Sequence, residues 1–367
     1  MASAGSDAAL ELALDLLQVE GGPWRTSDVA RHRLELAARY ASPAELGAAR
    51  RRLLGDLLIC NAEPASPELL DAVDAALANE SREGGGGSGS GSGSGIGSGS
   101  GGGPRPTAGP IALPGALRLR GPGVSGTEVA VWRGDITSLR VDAVTNAANE
   151  AGLGCFQPGH RCIDNVLHRA AGPRMREACR RAMAERAAAA AQVAAHHSQQ
   201  PRSYRGPAAE DGGDAMRDDG AGEALPGAPL LPPPPPPPAM LVAGSPPIVT
   251  AGFRLPAAHV LHVTGPHLAF RGAVPTPLEA SQLASVYSHC LDACAALGLR
   301  SVAFCCVSTG LFNYPGDAAA RCALAMVHAW LAQPEHAGKL DLVVFDVFTE
   351  EDARLYLTLA PVVFATA

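Results

Sequence analysis

Hydrophobic positions along the chain change period near residue 110. Before it, over residues 8–80, they recur at helical spacing. Ala8, Leu10, Leu12, Leu14, Leu16 and Leu17 begin the pattern, Leu34, Leu36 and Ala37 continue it, and a third segment runs from Leu46 to Leu58. Ser66-Pro67-Glu68 opens a fourth helix, with Ser at the cap and Pro in the first turn. Its apolar positions are Leu69, Leu70, Val73, Ala76 and Leu77. These helices predict a small N-terminal helical domain over 1–81. After residue 110, short strand-like runs appear at Val129–Trp132, Ala143–Asn146 and Val260–Val263. Val302–Val307 and Leu342–Phe345 are continuous apolar runs, as buried central strands require. Helical stretches alternate with them: Ile163–Ala171, Pro173–Met183, Ala280–Leu297 and Ala318–Leu331. This alternation predicts one three-layer α/β/α sandwich over 110–367, interrupted by a loop insertion.

Composition locates the breaks. Much of the chain's 42 Gly and 31 Pro sits in two stretches, so the folded mass is well under 367 residues. Residues 82–109 are almost all Gly and Ser, a flexible linker that cannot bury a core. Residues 185–247 hold an Ala run, an acidic Gly-rich patch and the prolines Pro232 to Pro238. That proline run predicts a stiff extended spacer, or else a docking site for a proline-recognising domain.

The net charge of −7, from 29 basic and 36 acidic residues, argues against a nucleic-acid partner, which needs a clustered basic face. No apolar run reaches the roughly 18 residues of a membrane span. Met1 to Asp15 is acidic and lacks a leader pattern, so the expected compartment is the cytosol or nucleus. There the nine cysteines serve as core residues or metal ligands rather than disulfides.

Four local patterns carry candidate chemistry. Gly134-Asp135-Ile136-Thr137 follows a strand; its acid can accept a hydrogen bond from an amino group, or merely close a turn. Asn146-Ala147-Ala148-Asn149 ends the next strand, where two amides suit hydroxyl recognition or stabilise a turn. Cys155, His160 and Cys162 lie within one loop. Two thiolates and an imidazole are good zinc ligands, and three ligands leave the fourth tetrahedral position open. The alternative is two buried thiols and a solvent-facing His. Asp164 then opens a helix, as a cap or as a group acting beside the metal. Ser308-Thr309-Gly310-Leu311-Phe312 leaves a buried strand and can present backbone N–H groups to phosphate, or form a tight strand-to-helix turn.

In order, these patterns resemble a macrodomain. Gly-Asp-Ile-Thr at 134–137, Val-Asp-Ala-Val at 141–144, Asn-Ala-Ala-Asn at 146–149 and Ile-Asp-Asn-Val-Leu-His-Arg-Ala-Ala-Gly-Pro at 163–173 carry the likeness. Most macrodomains have a glycine run before this last helix. Here Gly-Cys-Phe-Gln-Pro-Gly-His-Arg-Cys stands at 154–162, which resembles the zinc-dependent branch. The later segments 250–256, 262–266 and 304–310 agree. The likeness covers about 125–185 and 246–365, and residues 8–80 more loosely resemble the helical segment that precedes that branch's macrodomain.

The resemblance implies a mixed central sheet and a protein-ADP-ribose hydrolase acting on ADP-ribosylated protein with one Zn2+. Asp135 and the Ile136 backbone would take the adenine, and Asn146 and Asn149 the distal ribose. The turn at Gly154, Cys155 and Phe156 and the loop Ser308, Thr309, Gly310, Leu311 and Phe312 would hold the pyrophosphate. Cys155, His160 and Cys162 would ligate zinc. Asp164 would act near the anomeric carbon, with Asn149 orienting the reacting groups. A second class of function is a reader that binds ADP-ribose without cutting it, around a structural zinc; the three-ligand count disfavours it.

Overall fold

The computed structural model describes residues 2–20, 43–60, 64–77, 111–120, 126–157, 159–199 and 240–365. The helix expected around Leu34–Ala37, the Gly/Ser linker 82–109 and the prolines Pro232–Pro238 lie outside the described residues. The chain divides into two compact units: residues 1–183 with 240–367, and residues 184–239. The first unit holds the N-terminal helices and the sandwich.

Its N-terminal part holds α1 (Ala2–Glu20), α2 (Pro43–Cys60) and α3 (Pro67–Leu77). Ser66 caps α3 as its sequence predicts, with its Oγ accepting the Leu69 N–H at 3.0 Å. Leu10, Leu14 and Leu17 of α1 interleave with Leu54, Leu57, Leu69 and Val73 in a core of their own. These are the residues that carry the helical period.

The remainder is a seven-stranded sheet in the order β1-β2-β7-β6-β3-β5-β4. The strands are β1 (Leu117–Leu119), β2 (Glu128–Trp132), β3 (Ala143–Ala147), β4 (Ile248–Ala251), β5 (His259–Val263), β6 (Ser301–Phe304) and β7 (Leu342–Asp346). The central pairs are parallel, while β1 pairs β2 and β4 pairs β5 antiparallel. The sheet is therefore mixed. Every residue of β2, β6 and β7 is buried, which requires cover on both faces.

Side-chain alternation shows what covers each face. Phe304 of β6 stacks on Phe345 of β7, and they meet Tyr287 of α6 (Pro277–Ala296) and Tyr356 of α8 (Glu350–Ala365) in tilted contacts. Asn146 of β3 points the other way, to α4 (Ile163–Ala171), and its neighbour His262 of β5 meets Cys179 of α5 (Pro173–Gln199). With α7 (Gly316–Leu331) packed between α6 and α8, the architecture is the expected α/β/α sandwich.

The helical ends differ from the expected ones for local reasons. α6 starts at Pro277, not Ala280, because Thr276 and Glu279 form a reciprocal capping box. α5 continues past Met183 through the Ala run, a residue type that favours helix. The insertion expected over 185–247 gives way to ordered packing by residue 240. Leu241 is fully buried and its N–H donates to Glu150 O at 2.8 Å, so residues 240–247 belong to the sandwich.

Candidate active site

The chain passes from β3 outward to β5 and then back across to β6, and the intervening helices lie on opposite faces. Such a reversal opens a crevice beyond the carboxyl ends of the parallel strands. All four candidate patterns sit at those ends: 134–137 after β2, 146–164 at and after β3, and 308–312 after β6.

The loop after β3 is shaped by Asn149 and Gly154. Asn149 Oδ1 accepts the Gly152 N–H at 3.1 Å and its Nδ2 donates to Gly154 O at 3.0 Å, so the side chain holds the turn closed. Gly154 has φ +90, and a Cβ there would stand 2.9 Å from the His168 ring, so only glycine fits. Beyond it, Cys155 Sγ and His160 Nδ1 are 3.3 Å apart. The Cys155, His160 and Cys162 ligand atoms all lie within 4.8 Å of one another, and all three residues are half-buried. Cys162 also caps α4, its Sγ accepting the Asn165 N–H at 3.4 Å. Burial pushes its thiol up to about 11, against the Asn165 N–H and with help from neighbouring Cys155. The Cys162 thiol resists ionising beside Cys155 unless a cation joins them, and a borderline-soft divalent ion suits two sulfurs and one imidazole nitrogen. The residues therefore fit zinc.

Asp164, 3% exposed, lies at the start of α4. Its Oδ1 accepts from Asn146 Nδ2 at 2.7 Å and stands 3.5 Å from His168 Nε2. Burial raises its carboxyl to about 6, against the Asn146 bond and the Arg176 cation. Asn146 Nδ2 also lies 3.0 Å from His262 Nδ1. An amide N–H makes that ring nitrogen the acceptor, so His262 Nε2 carries the proton and donates to Thr250 Oγ1 at 2.9 Å. Burial takes His262 down to about 3, consistent with a neutral ring. His168, Cys179 and His262 also place ligand-type atoms within 4.8 Å of one another. They do not fit a metal, because both nitrogens of His262 are already committed. Asn146 Oδ1, by contrast, is a buried acceptor with no hydrogen-bond partner among the described residues.

Asp135 is exposed, and its Oδ1 caps the turn by accepting from Thr137 N at 2.9 Å and Thr137 Oγ1 at 2.7 Å. That cap does not use Oδ2. The turn packs against α4 and buries Ile136. In the loop after β6, Ser308 has φ +67 and Tyr314 N donates to Ser308 O at 3.0 Å. Among the described residues, none of the N–H groups of Thr309 to Phe312 donates to a backbone carbonyl. Leu311 is exposed, and Phe312 stacks on His267 at 4.8 Å.

The structure adds His262, Thr250, Cys179 and Arg176, which the sequence patterns passed over. Arg176 is buried, donates to Leu153 O at 3.0 Å and lies 4.5 Å over the Phe156 ring. The available signal was polar side chains in otherwise apolar strands: His262 follows Val260 and Leu261.

Residues 145–203 and 246–323 match the family model described as Macro domain. A probable bifunctional ADP-ribose hydrolase/ADP-ribosyltransferase of Fusarium oxysporum f. sp. cubense is 38% identical over 63% of this chain and 30% of its own. Protein-ADP-ribose hydrolases of Treponema medium and Staphylococcus aureus (strain MRSA252) are 34% and 31% identical, over 62% and 64% of this chain. The chain spans 64% and 66% of those two relatives' lengths. Among solved structures, an Oceanobacillus iheyensis macrodomain with ADP aligns at TM-score 0.48 and 22% identity, over 70% of this chain and 99% of that one. A Trypanosoma brucei macrodomain in complex with ADP-ribose aligns at 0.41 and 26%, over 63% and 68%.

Proposed function

We propose that this chain, which carries a Macro domain, hydrolyses ADP-ribose from mono-ADP-ribosylated protein side chains. The observation that carries this reading is one constellation. A buried carboxyl, Asp164, is paired to Asn146 beside the loop that gathers Cys155, His160 and Cys162. The similarity to proteins named protein-ADP-ribose hydrolases supports it.

In this reading the carboxyl ends of the strands bind the substrate. Asp135 Oδ2 accepts from the adenine amino group beside the Ile136 backbone. The N–H groups of 309–312 and the turn Gly154–Phe156 face the pyrophosphate, and Asn146 Oδ1 receives a distal-ribose hydroxyl. Asn149 keeps the turn in place and thereby orients the groups it carries. Asp164, held by Asn146, takes or returns a proton near the anomeric carbon. Cys155, His160 and Cys162 would hold one zinc ion, which when bound supplies Lewis-acid activation of an oxygen. No helix among the described residues is long and apolar enough to cross a membrane.

The test is incubation with a mono-ADP-ribosylated protein, with and without chelator, following free ADP-ribose. Release that stops on chelation supports the reading. Tight ADP-ribose binding with no release at any enzyme concentration would make the chain a reader instead.

A further inference from the structure

Arg176 stands in the first turn of α5 and is 6% exposed; Met175, Cys179 and Met183 of the same helix are buried with it. An arginine among apolar neighbours is costly unless its donors are met. Two separate parts of the molecule meet them. Nε donates to Leu153 O at 3.0 Å, in the loop after β3, and Nη1 donates to Leu58 O at 2.7 Å, in the last turn of α2. The guanidinium carbon lies over the Phe156 ring, 4.5 Å from its centroid.

These contacts bracket one turn. Leu153 and Phe156 flank Gly154 and Cys155, so a single side chain holds both ends of the turn. Asn149 braces the same turn from the strand side, through the Gly152 N–H and Gly154 O. Arg176 braces it from the helix side. The carbonyl it uses as its far anchor, Leu58 O, belongs to the end of a helix, where carbonyls lack intrahelical partners and the dipole favours a cation. The N-terminal helices thus fix the direction in which the fork is aimed. Other docking contacts stop short of the loop. Arg174, on the same turn of α5, pairs with Asp71 and Asp74, and among the described residues its side-chain hydrogen bonds go to α3 alone.

We propose that Arg176 is a positioning residue for the ADP-ribose site, tying the N-terminal helices to the turn Gly154–Phe156 so that their docking sets the turn for the pyrophosphate. The role in binding rests on the function proposed above; the tie itself does not. A planar fork with fixed directions holds two carbonyls and lies against a ring at once, whereas an ammonium on a flexible stem does not. Arg176 therefore acts through its geometry, and lysine, which keeps the charge, does not replace it.

The test compares R176A and R176K with two controls, all in the full-length protein. R174A loses docking contacts on the same turn of α5, and V73A loses packing in the core of the N-terminal helices. Calorimetry with ADP-ribose should show binding about tenfold weaker in R176A, the scale of a lost hydrogen bond to a charged group. R176K should lose roughly fivefold, and both controls should stay within about twofold of the parent. Release from a mono-ADP-ribosylated protein should show these factors in KM with kcat little changed, because the turn holds substrate and transition state alike. Hydrogen exchange of the 152–156 amides should quicken in the Arg176 variants and not in the controls. Circular dichroism checks folding, and R176K carries the comparison if R176A does not fold. Unchanged affinity or unchanged exchange in folded R176K, or equal changes in R174A and V73A, overturns the proposal. A parent protein that fails to bind ADP-ribose sinks the function proposed above, and the exchange comparison then decides the tie on its own.

Discussion

Asp346→Asn should stabilise the fold far more at pH 8 than at pH 4.5. Asp346 ends β7 with 6% exposure, and its Oδ1 has no hydrogen-bond partner among the described residues. Burial raises its carboxyl from 3.8 to about 7, against the Gly134 N–H and with help from the Asp135 charge. The folded state therefore holds this proton more tightly than the unfolded chain. Stability from this group is fully present below the unfolded value and is lost as pH rises through the folded one, between about pH 4 and 7. At about 1.4 kcal/mol per pH unit, that interval amounts to at most about 4 kcal/mol at pH 8. Asn imitates the protonated acid, keeps an acceptor for Gly134 and does not ionise. Urea unfolding of both proteins at pH 4.5, 6 and 8 reads the difference, in which every other titrating group cancels. The gap should grow by roughly 2–4 kcal/mol across that range and level off above the folded pKa. A gap independent of pH, or a variant less stable than the parent at pH 8, would refute the burial argument.

Purified protein should carry about one zinc per chain, and Cys162→Ser should lose most of it by elemental analysis, because a hydroxyl is a far poorer ligand than a thiolate. Asp164→Ala should keep zinc and still bind ADP-ribose while turnover falls; zinc-free, chelator-resistant turnover by the parent protein would defeat the proposed chemistry. Asp135→Ala should weaken ADP-ribose binding by roughly 1–3 kcal/mol, the scale of a hydrogen bond to a charged group, and unchanged affinity by calorimetry would remove the adenine assignment. Leu241→Ala should cost about 2–4 kcal/mol of stability if residue 241 belongs to the sandwich core. A change under about 0.5 kcal/mol, as at a surface position, would return it to the insertion.

Much of the site was legible because its signals are local. A strand's carboxyl end, a short polar loop and the next helix are neighbours in sequence, so Asp135, Asn146, Cys155, His160, Cys162 and Asp164 can be nominated together; spacing alone left each with a turn, cap or buried-thiol alternative, and the order of the motifs and their family resemblance supplied the roles. The Ser66 cap is legible for the same reason, its partner Leu69 being three residues on, and the Leu10–Leu17 face is legible from its own helical period although it packs on Leu54, Leu69 and Val73.

What only the tertiary structure decided involves partners far apart in the chain. The register of β3 against β5 sets Asn146 beside His262 across 116 residues, and only that pairing shows the imidazole to be a hydrogen-bonded core group with no lone pair to give a metal. The antiparallel edges β1 and β4 are too short to announce a direction. Packing alone returns Leu241 to the sandwich, though the proline run ending at Pro238 closely precedes it. The Arg176 tie is the clearest case. Leu58 of α2 stands 118 residues before Arg176, and Leu153 of the loop after β3 stands 23 before it. Only folding brings both carbonyls to one guanidinium, because a hydrogen bond acts through distance and angle in space and not along the chain.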